Sequence, residues 1–147
     1  MHLLGKVDLQ GRSSWVKVAR MYVRSVLYRA GRREVDDVET LVSEVFTNAV
    51  RHSESGQRPG GVVTVCVYDD GETVRVEVTD EGSTDSVPRI PEQSGLFEES
   101  GRGLWMVQEL SSSWGWGQHT QGRTVWFEVR TADCLRDRPQ TLGEGRP

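Results

Sequence analysis

The chain has 147 residues, of which 35% are hydrophobic and 27% charged, and its formal net charge is −4. This length and composition predict one globular domain that buries a core without disulfides or a structural metal. The acidic balance argues against direct nucleic-acid binding, which usually brings a basic surface. No signal-peptide pattern is visible, and no apolar run approaches the roughly 20 residues that cross a bilayer. We therefore expect a cytoplasmic protein that binds neither nucleic acid nor membrane.

The first half of the chain predicts one strand followed by two helices. Residues 3–9 fit a short edge strand. The serines at 13–14 offer an N-cap for a helix whose apolar residues recur at helical spacing until Gly31, a glycine suited to end it. A second helix with one continuous apolar face begins near residues 34–37, where acidic side chains suit a helix N-terminus, and ends near His52.

The second half predicts two pairs of strands around a third helix. Residues 62–68 and 73–80 are β-branched runs joined by an acidic hairpin turn. A polar stretch at 82–100 precedes a helix of two to three turns, and strands at 113–118 and 123–130 follow. The tryptophans are predicted to pack mostly in the core.

This order of elements predicts an α+β fold, a two-layer sandwich with helices on one face of a mostly antiparallel mixed sheet. The domain is predicted to span residues 1–131. The polar segment at 132–147 is predicted to be a disordered tail.

A carboxylate and a carboxamide lie one turn apart on the second helix. Glu44 and Asn48 are four residues apart, so they lie on the same side of it, at the rim of the apolar face. An amide oxygen can complete the coordination of a Mg²⁺ that also binds phosphates, and a carboxylate can orient or deprotonate a nucleophile. The alternative is an ordinary solvated pair on a helix.

Two further segments suggest a nucleotide site. Asp80 ends a strand and could accept a hydrogen bond from the exocyclic amine of adenine, with Gly82 permitting close approach of the base. The alternative for this segment is simple turn chemistry. The run Gly101, Arg102, Gly103 and Leu104 precedes a helix, where backbone N–H groups can bind an anion and the arginine can add charge. A glycine pair without function is the alternative there.

The order and spacing of these segments resemble the GHKL ATPase fold, and more narrowly the small bacterial anti-sigma-factor serine kinases. The family box Glu-x-x-x-Asn-Ala-x-x-His matches Glu44, Asn48, Ala49 and His52. The Asp-x-Gly and Gly-Arg-Gly-Leu boxes match residues 80–82 and 101–104, and residues 114–115 and 122–127 resemble the closing strands. The resemblance covers roughly residues 14–129.

The resemblance implies a role for each box. Asn48 would ligate Mg²⁺, and Glu44 would be the base for a protein serine hydroxyl or a water. Asp80 would contact the adenine amine of ATP, and His52 would belong to the same cofactor site. The phosphates would lie on the segment formed by Gly101, Arg102, Gly103 and Leu104, under an ATP lid at residues 82–100.

The resemblance also implies partners. The protein would bind a sigma factor and phosphorylate an anti-anti-sigma protein on serine with Mg-ATP, and it could form a homodimer as the family often does. Two alternatives stay open. One is a module that binds ATP without phosphotransfer, and the other is a non-catalytic protein-interaction domain.

Overall fold

The fold is taken from a computed structural model that describes residues 1–33, 35–82, 101–120 and 122–130. Of residues 101–105 it describes the backbone. The predicted lid lies outside the described residues from residue 83 onward, and the predicted tail lies outside them entirely.

Eight helices and strands make up the described part of the chain. In chain order they are β1 (His2–Gln10), α1 (Val16–Arg29), α2 (Asp36–Arg51), β2 (Val62–Asp69), β3 (Thr73–Asp80), α3 (Gly101–Leu110), β4 (Ser113–His119) and β5 (Gly122–Arg130). Short 3-10 turns lie at Ser13–Trp15 and Glu54–Gly56. Within the described ranges, no helix combines the length and apolar character needed to span a membrane.

The strands form one sheet in the order β1-β2-β3-β5-β4. All four pairings between the described strands are antiparallel, so the prediction of an α+β sandwich is confirmed, with a sheet less mixed than predicted. The non-sequential pair is β3 with β5, and its register sets Asp80 opposite Arg123. This pairing brings the start of β5 beside the end of β3.

The core lies between the sheet and the helices. Alternate residues of β3 point into it, because successive side chains of a strand face opposite sides: Val74, Val76 and Val78 are fully buried. From α2, Leu41, Val45 and Phe46 meet the same layer. Each such side chain contributes roughly 1.5–3 kcal/mol when removed from water, so this layer holds α2 firmly on the sheet.

The ends of α1 differ in part from the prediction. The serine pair at 13–14 was predicted as an N-cap, which is wrong. These serines lie inside the 3-10 turn, and the residue that precedes α1 is Trp15, which makes no side-chain capping bond. The turn is closed by the Trp15 N–H donating to the Arg12 carbonyl, which moves the helix start past the serines. Gly31 is confirmed as the stop, with a φ of 87°.

The tryptophan prediction is partly wrong. Trp15 and Trp114 are partly buried and pack against the core. Trp126, however, lies on the opposite face of the sheet, with the Arg75 guanidinium 4.0 Å from its ring centroid. Its strand parity explains this, since Trp126 alternates with the buried Val125 and Phe127.

A bidentate ion pair fixes the end of α1 to the β2–β3 hairpin. Arg32 donates from Nε and Nη2 to the two carboxylate oxygens of Asp69 at 3.0 and 2.8 Å. The Gly71 N–H donates to the same carboxylate. Burial alone would raise the pKa of Asp69, but these hydrogen bonds and the arginine charge outweigh it, so the pKa lies below its ordinary value.

We expect Arg32→Met to lower the free energy of unfolding by about 2 kcal/mol at pH 7, since it removes charge-assisted hydrogen bonds from a largely buried carboxylate. Arg24→Met is the matched control. Arg24 pairs with Glu39, but its side chain is 53% exposed, against 14% for Arg32. We expect it to cost less than 1 kcal/mol.

Because the pKa of folded Asp69 is lowered, its contribution is present above about pH 4 and is lost as the pH falls through the folded value. Urea unfolding of the wild type and both variants between pH 7 and pH 3 measures this. The difference between wild type and Arg32→Met should shrink in acid. An equal loss in both variants, or a difference that grows in acid, would contradict this account of the pair.

Candidate functional site

The α2 carboxamide occupies an unusual environment. Asn48 is 5% exposed, and no described residue hydrogen-bonds its Oδ1 atom. A buried polar atom left without a partner costs roughly 1–3 kcal/mol. An amide oxygen is also a preferred ligand of hard cations such as Mg²⁺. Asn48 is therefore suited to a ligand from outside the protein, although its role as a metal ligand stays a prediction.

Glu44 faces a different space from Asn48. It lies one turn earlier on α2, about 6 Å along the helix axis. It is half-buried and lines an open groove of about 350 Å³ with Arg20 of α1 and four further α2 residues, Asp36, Glu39, Thr40 and Ser43. Asn48 and Asp80 do not line this groove. The predicted base is thus accessible from the helical surface, while the predicted metal ligand faces the interior.

Asp80 is a buried carboxylate at the end of β3, with an exposed fraction of 2%. Its Oδ1 accepts a hydrogen bond of 2.6 Å from the Gly82 N–H, and its Oδ2 accepts one of 3.3 Å from Arg123 Nη2. Burial raises the pKa of Asp80 above its ordinary value, against the opposing influence of the Arg123 charge and the Gly82 N–H. The hydrogen bond from the Gly82 N–H to the Asp80 side chain forms an Asx-type turn. The turn interpretation of this segment therefore holds, and it is compatible with the predicted contact between Asp80 and adenine.

Arg123 is a site residue that the sequence reasoning missed. Its side chain is 1% exposed, and its Nη2 donates both to Asp80 and to the backbone carbonyl of His52, at 2.9 Å. One guanidinium thereby joins the end of α2, the end of β3 and the start of β5. The alternation of side chains along β5 could have indicated its burial, because Arg123 lies on the same face of the strand as the buried Val125 and Phe127.

The chain after α2 holds the segment that follows Asp80. The Glu54 N–H donates to the Gly82 carbonyl at 2.7 Å, and the Glu81 N–H donates to Ser55 Oγ at 2.8 Å. The Ser55 hydroxyl donates to the Val62 carbonyl. Gly82 has a φ of 80°, which favours glycine. The start of the predicted lid is therefore fixed against the loop that leaves α2.

The secondary structure at residues 101–104 differs from the prediction. This run is Gly101, Arg102, Gly103 and Leu104. We predicted that this run lies between a polar loop and the third helix, whereas these residues form the first turn of α3. The first backbone N–H groups of a helix have no partner within it, so this turn can still present donors to an anion. α3 packs against α2 and buries Val107 in the core. Phosphate binding here stays a prediction.

The structure brings together a part of the predicted site. Asn48 and His52 are one turn apart, joined by the hydrogen bond from the His52 N–H to the Asn48 carbonyl. The His52 carbonyl is joined through Arg123 to Asp80, and Asp80 to Gly82. Glu44 stands apart on its groove.

Comparisons with known proteins identify the family of this chain. The family model for the histidine kinase-like ATPase domain matches residues 11–129, a range that includes all three segments. The serine-protein kinase RsbW of Listeria monocytogenes serotype 4a is 25% identical over 122 residues, covering 75% of this chain and 76% of that protein. The anti-sigma F factor of Clostridium acetobutylicum is 45% identical over 49 residues, 33% of each chain.

A solved structure shows the same fold. A histidine kinase domain from a blue-light activated histidine kinase of Erythrobacter litoralis has a TM-score of 0.51 at 22% identity, and the likeness covers 82% of this chain and 61% of that chain. The resemblance to the GHKL ATPases inferred from the sequence is confirmed. The chain belongs to the histidine kinase-like ATPase domain family.

Proposed function

We propose that this protein is an ATP-binding regulator of the anti-sigma type that phosphorylates an anti-anti-sigma partner on serine. The observation that carries the proposal is the buried Asn48 Oδ1, which has no hydrogen-bond partner among the described residues. It lies in the helix box that the sequence shares with serine kinases of this family. Two similar proteins, a serine-protein kinase and an anti-sigma F factor, support the same activity.

The nucleotide would be held by residues of three elements. Asn48 Oδ1 would be the protein ligand of Mg²⁺, which supplies charge neutralisation on the phosphates when bound. Asp80 would accept a hydrogen bond from the adenine amine, and the first turn of α3 would donate backbone N–H groups to the phosphates. Asp80 is buried, so a base that reaches it lies against the protein interior.

Glu44 would act on the serine hydroxyl of the partner protein rather than bind the nucleotide. Its carboxylate lines a groove on the helical surface, where the hydroxyl of another protein can reach it. A carboxylate at hydrogen-bond distance from a serine hydroxyl can accept its proton as the oxygen attacks phosphorus. Such a hydroxyl would lie near the proposed metal site, because Glu44 is one turn from Asn48. A sigma factor would be the second partner of this regulator.

We expect Asn48→Leu to abolish the Mg²⁺-dependent part of ATP binding while leaving the unliganded protein within about 1 kcal/mol of wild-type stability. The leucine fills a similar volume and removes a buried acceptor that lacks a partner among the described residues, a change that can be nearly neutral. Thermal shifts with ATP at a hundredfold excess over Kd, with and without EDTA, measure the effect. The wild type should gain about 2.7 kcal/mol. An undiminished Mg²⁺-dependent gain in Asn48→Leu would exclude Asn48 as a ligand.

We expect Glu44→Gln to reduce phosphotransfer by 10²-fold or more while leaving ATP affinity nearly unchanged, because it removes a base and keeps the shape. Glu39→Gln is the matched control, since Glu39 lines the same groove on the same helix. Labelled ATP, Mg²⁺ and the candidate anti-anti-sigma protein encoded nearest this one provide the assay. Equal rates for the wild type and Glu44→Gln would exclude Glu44 as the base.

The same measurements separate the proposal from its two alternatives. A module that binds ATP without transfer would show the thermal shift but no labelled acceptor. A non-catalytic interaction domain would show neither result at millimolar ATP. If phosphotransfer requires Asn48 and Glu44, the kinase proposal is supported over the two alternatives.

A further inference from the structure

We infer that Arg123 is a positioning residue of the nucleotide site, holding the Asp80 carboxylate in one orientation so that it selects a purine with an exocyclic amine. The inference rests on the proposed ATP site. It adds a residue from β5 to a site otherwise built from α2, the end of β3 and the start of α3.

Two hydrogen bonds fix the carboxylate plane. The Gly82 N–H holds Oδ1 at 2.6 Å, and Arg123 Nη2 holds Oδ2 at 3.3 Å. An ionised carboxylate offers about four acceptor positions, and these bonds occupy one on each oxygen. The remaining lone pairs therefore point in directions set by Gly82 and Arg123. A base that presents an N–H group in that direction gains a charge-assisted hydrogen bond.

The position of Arg123 is itself fixed by the backbone. Asp80 and Arg123 are directly opposite in the β3–β5 register. The two strands meet closely at this end, where a Cβ atom added to Gly122 would lie 1.9 Å from the Asp80 carbonyl oxygen. The His52 carbonyl, which ends α2, accepts the second hydrogen bond from Nη2. Arg123 therefore reaches Asp80 from a position that three elements hold.

A purely structural role explains this pair poorly. Both side chains are 1% exposed, so the desolvation cost of the two charges is large. Well-packed apolar residues often stabilise a fold as well as a buried ion pair does. The arginine has a clear effect on chemistry, however, because its charge favours the ionised, acceptor-only form of Asp80, which burial disfavours. A protonated carboxyl could instead donate a hydrogen bond and would discriminate purines differently.

The experiment compares two nucleotides on the full chain. ATP carries the exocyclic amine, and purine riboside triphosphate lacks it. Their Kd values with Mg²⁺ are measured by calorimetry for the wild type, Arg123→Met, Arg123→Lys and Arg75→Met. Arg75 is the matched control, since it also pairs with carboxylates in the sheet but lies on the face away from the helices, over Trp126.

We expect the wild type and Arg75→Met to prefer ATP by tenfold or more, the difference that one hydrogen bond to a charged group makes. Arg123→Met should bring the ratio of the two Kd values close to one, and Arg123→Lys should restore part of the preference. If Arg123→Met does not fold, Arg123→Gln removes the charge and, with its shorter side chain, the hydrogen bond from the Nη2 position to Asp80, so the same fall in the ratio is expected.

Four results would overturn the inference. If Arg123→Met or Arg123→Gln weakens both nucleotides equally and keeps the ratio, Arg123 acts only on the fold. If Arg75→Met lowers the ratio as much, the effect is not specific to Arg123. A wild type that binds ATP without preferring it over the analogue contradicts the inference alone, whereas a wild type that binds neither nucleotide removes the proposed ATP site as well.

Discussion

The proposed site depends on a single buried guanidinium where the sheet and α2 meet. Arg123 enters the core from β5 and donates to the end of α2 and to the carboxylate at the end of β3. A helix terminus and a strand terminus both leave polar groups that need partners when buried, and here one side chain serves both. The Glu54–Gly82 hydrogen bond adds a second link between the same two ends. The proposed site thus lies where Arg123 joins the ends of α2 and β3.

Two residues of α2 have different proposed roles, metal binding for Asn48 and proton acceptance for Glu44. The helix presents Asn48 toward the interior and Glu44 toward the groove it shares with α1. A phosphotransfer enzyme needs its nucleotide and its acceptor to approach from different directions, in line with the reacting phosphoryl group. Glu44 lines that groove and Asn48 does not, so two positions one turn apart on α2 would serve the proposed acceptor and the proposed nucleotide. The proposed kinase activity would use this arrangement of α2, which packs on the sheet beside α1.

The secondary structure could be predicted closely because its periodicity is strong. The apolar face of α2 and the alternating valines of β3 leave little choice of element or orientation. The packing of Trp126 and the role of Arg123 depend on strand parity, which places Arg123 inward and Trp126 outward. Parity alone could not identify the partner of Arg123, because β3 pairs with β5 across the intervening α3 and β4. The different surroundings of Glu44 and Asn48 could not be predicted either. They depend on where α1 lies, and no local sequence pattern contains that position.

We propose that the end of α2, the end of β3 and the start of α3 bind one nucleotide together. Hydrogen–deuterium exchange of the full chain with and without Mg-ATP tests it most directly. We predict slower exchange in peptides covering residues 44–52, 78–82 and 101–106 at the same ATP concentration, with the β1–β2 pair unchanged as the internal reference. Protection confined to one of these segments, or protection located only in β1 and β2, would contradict the claim.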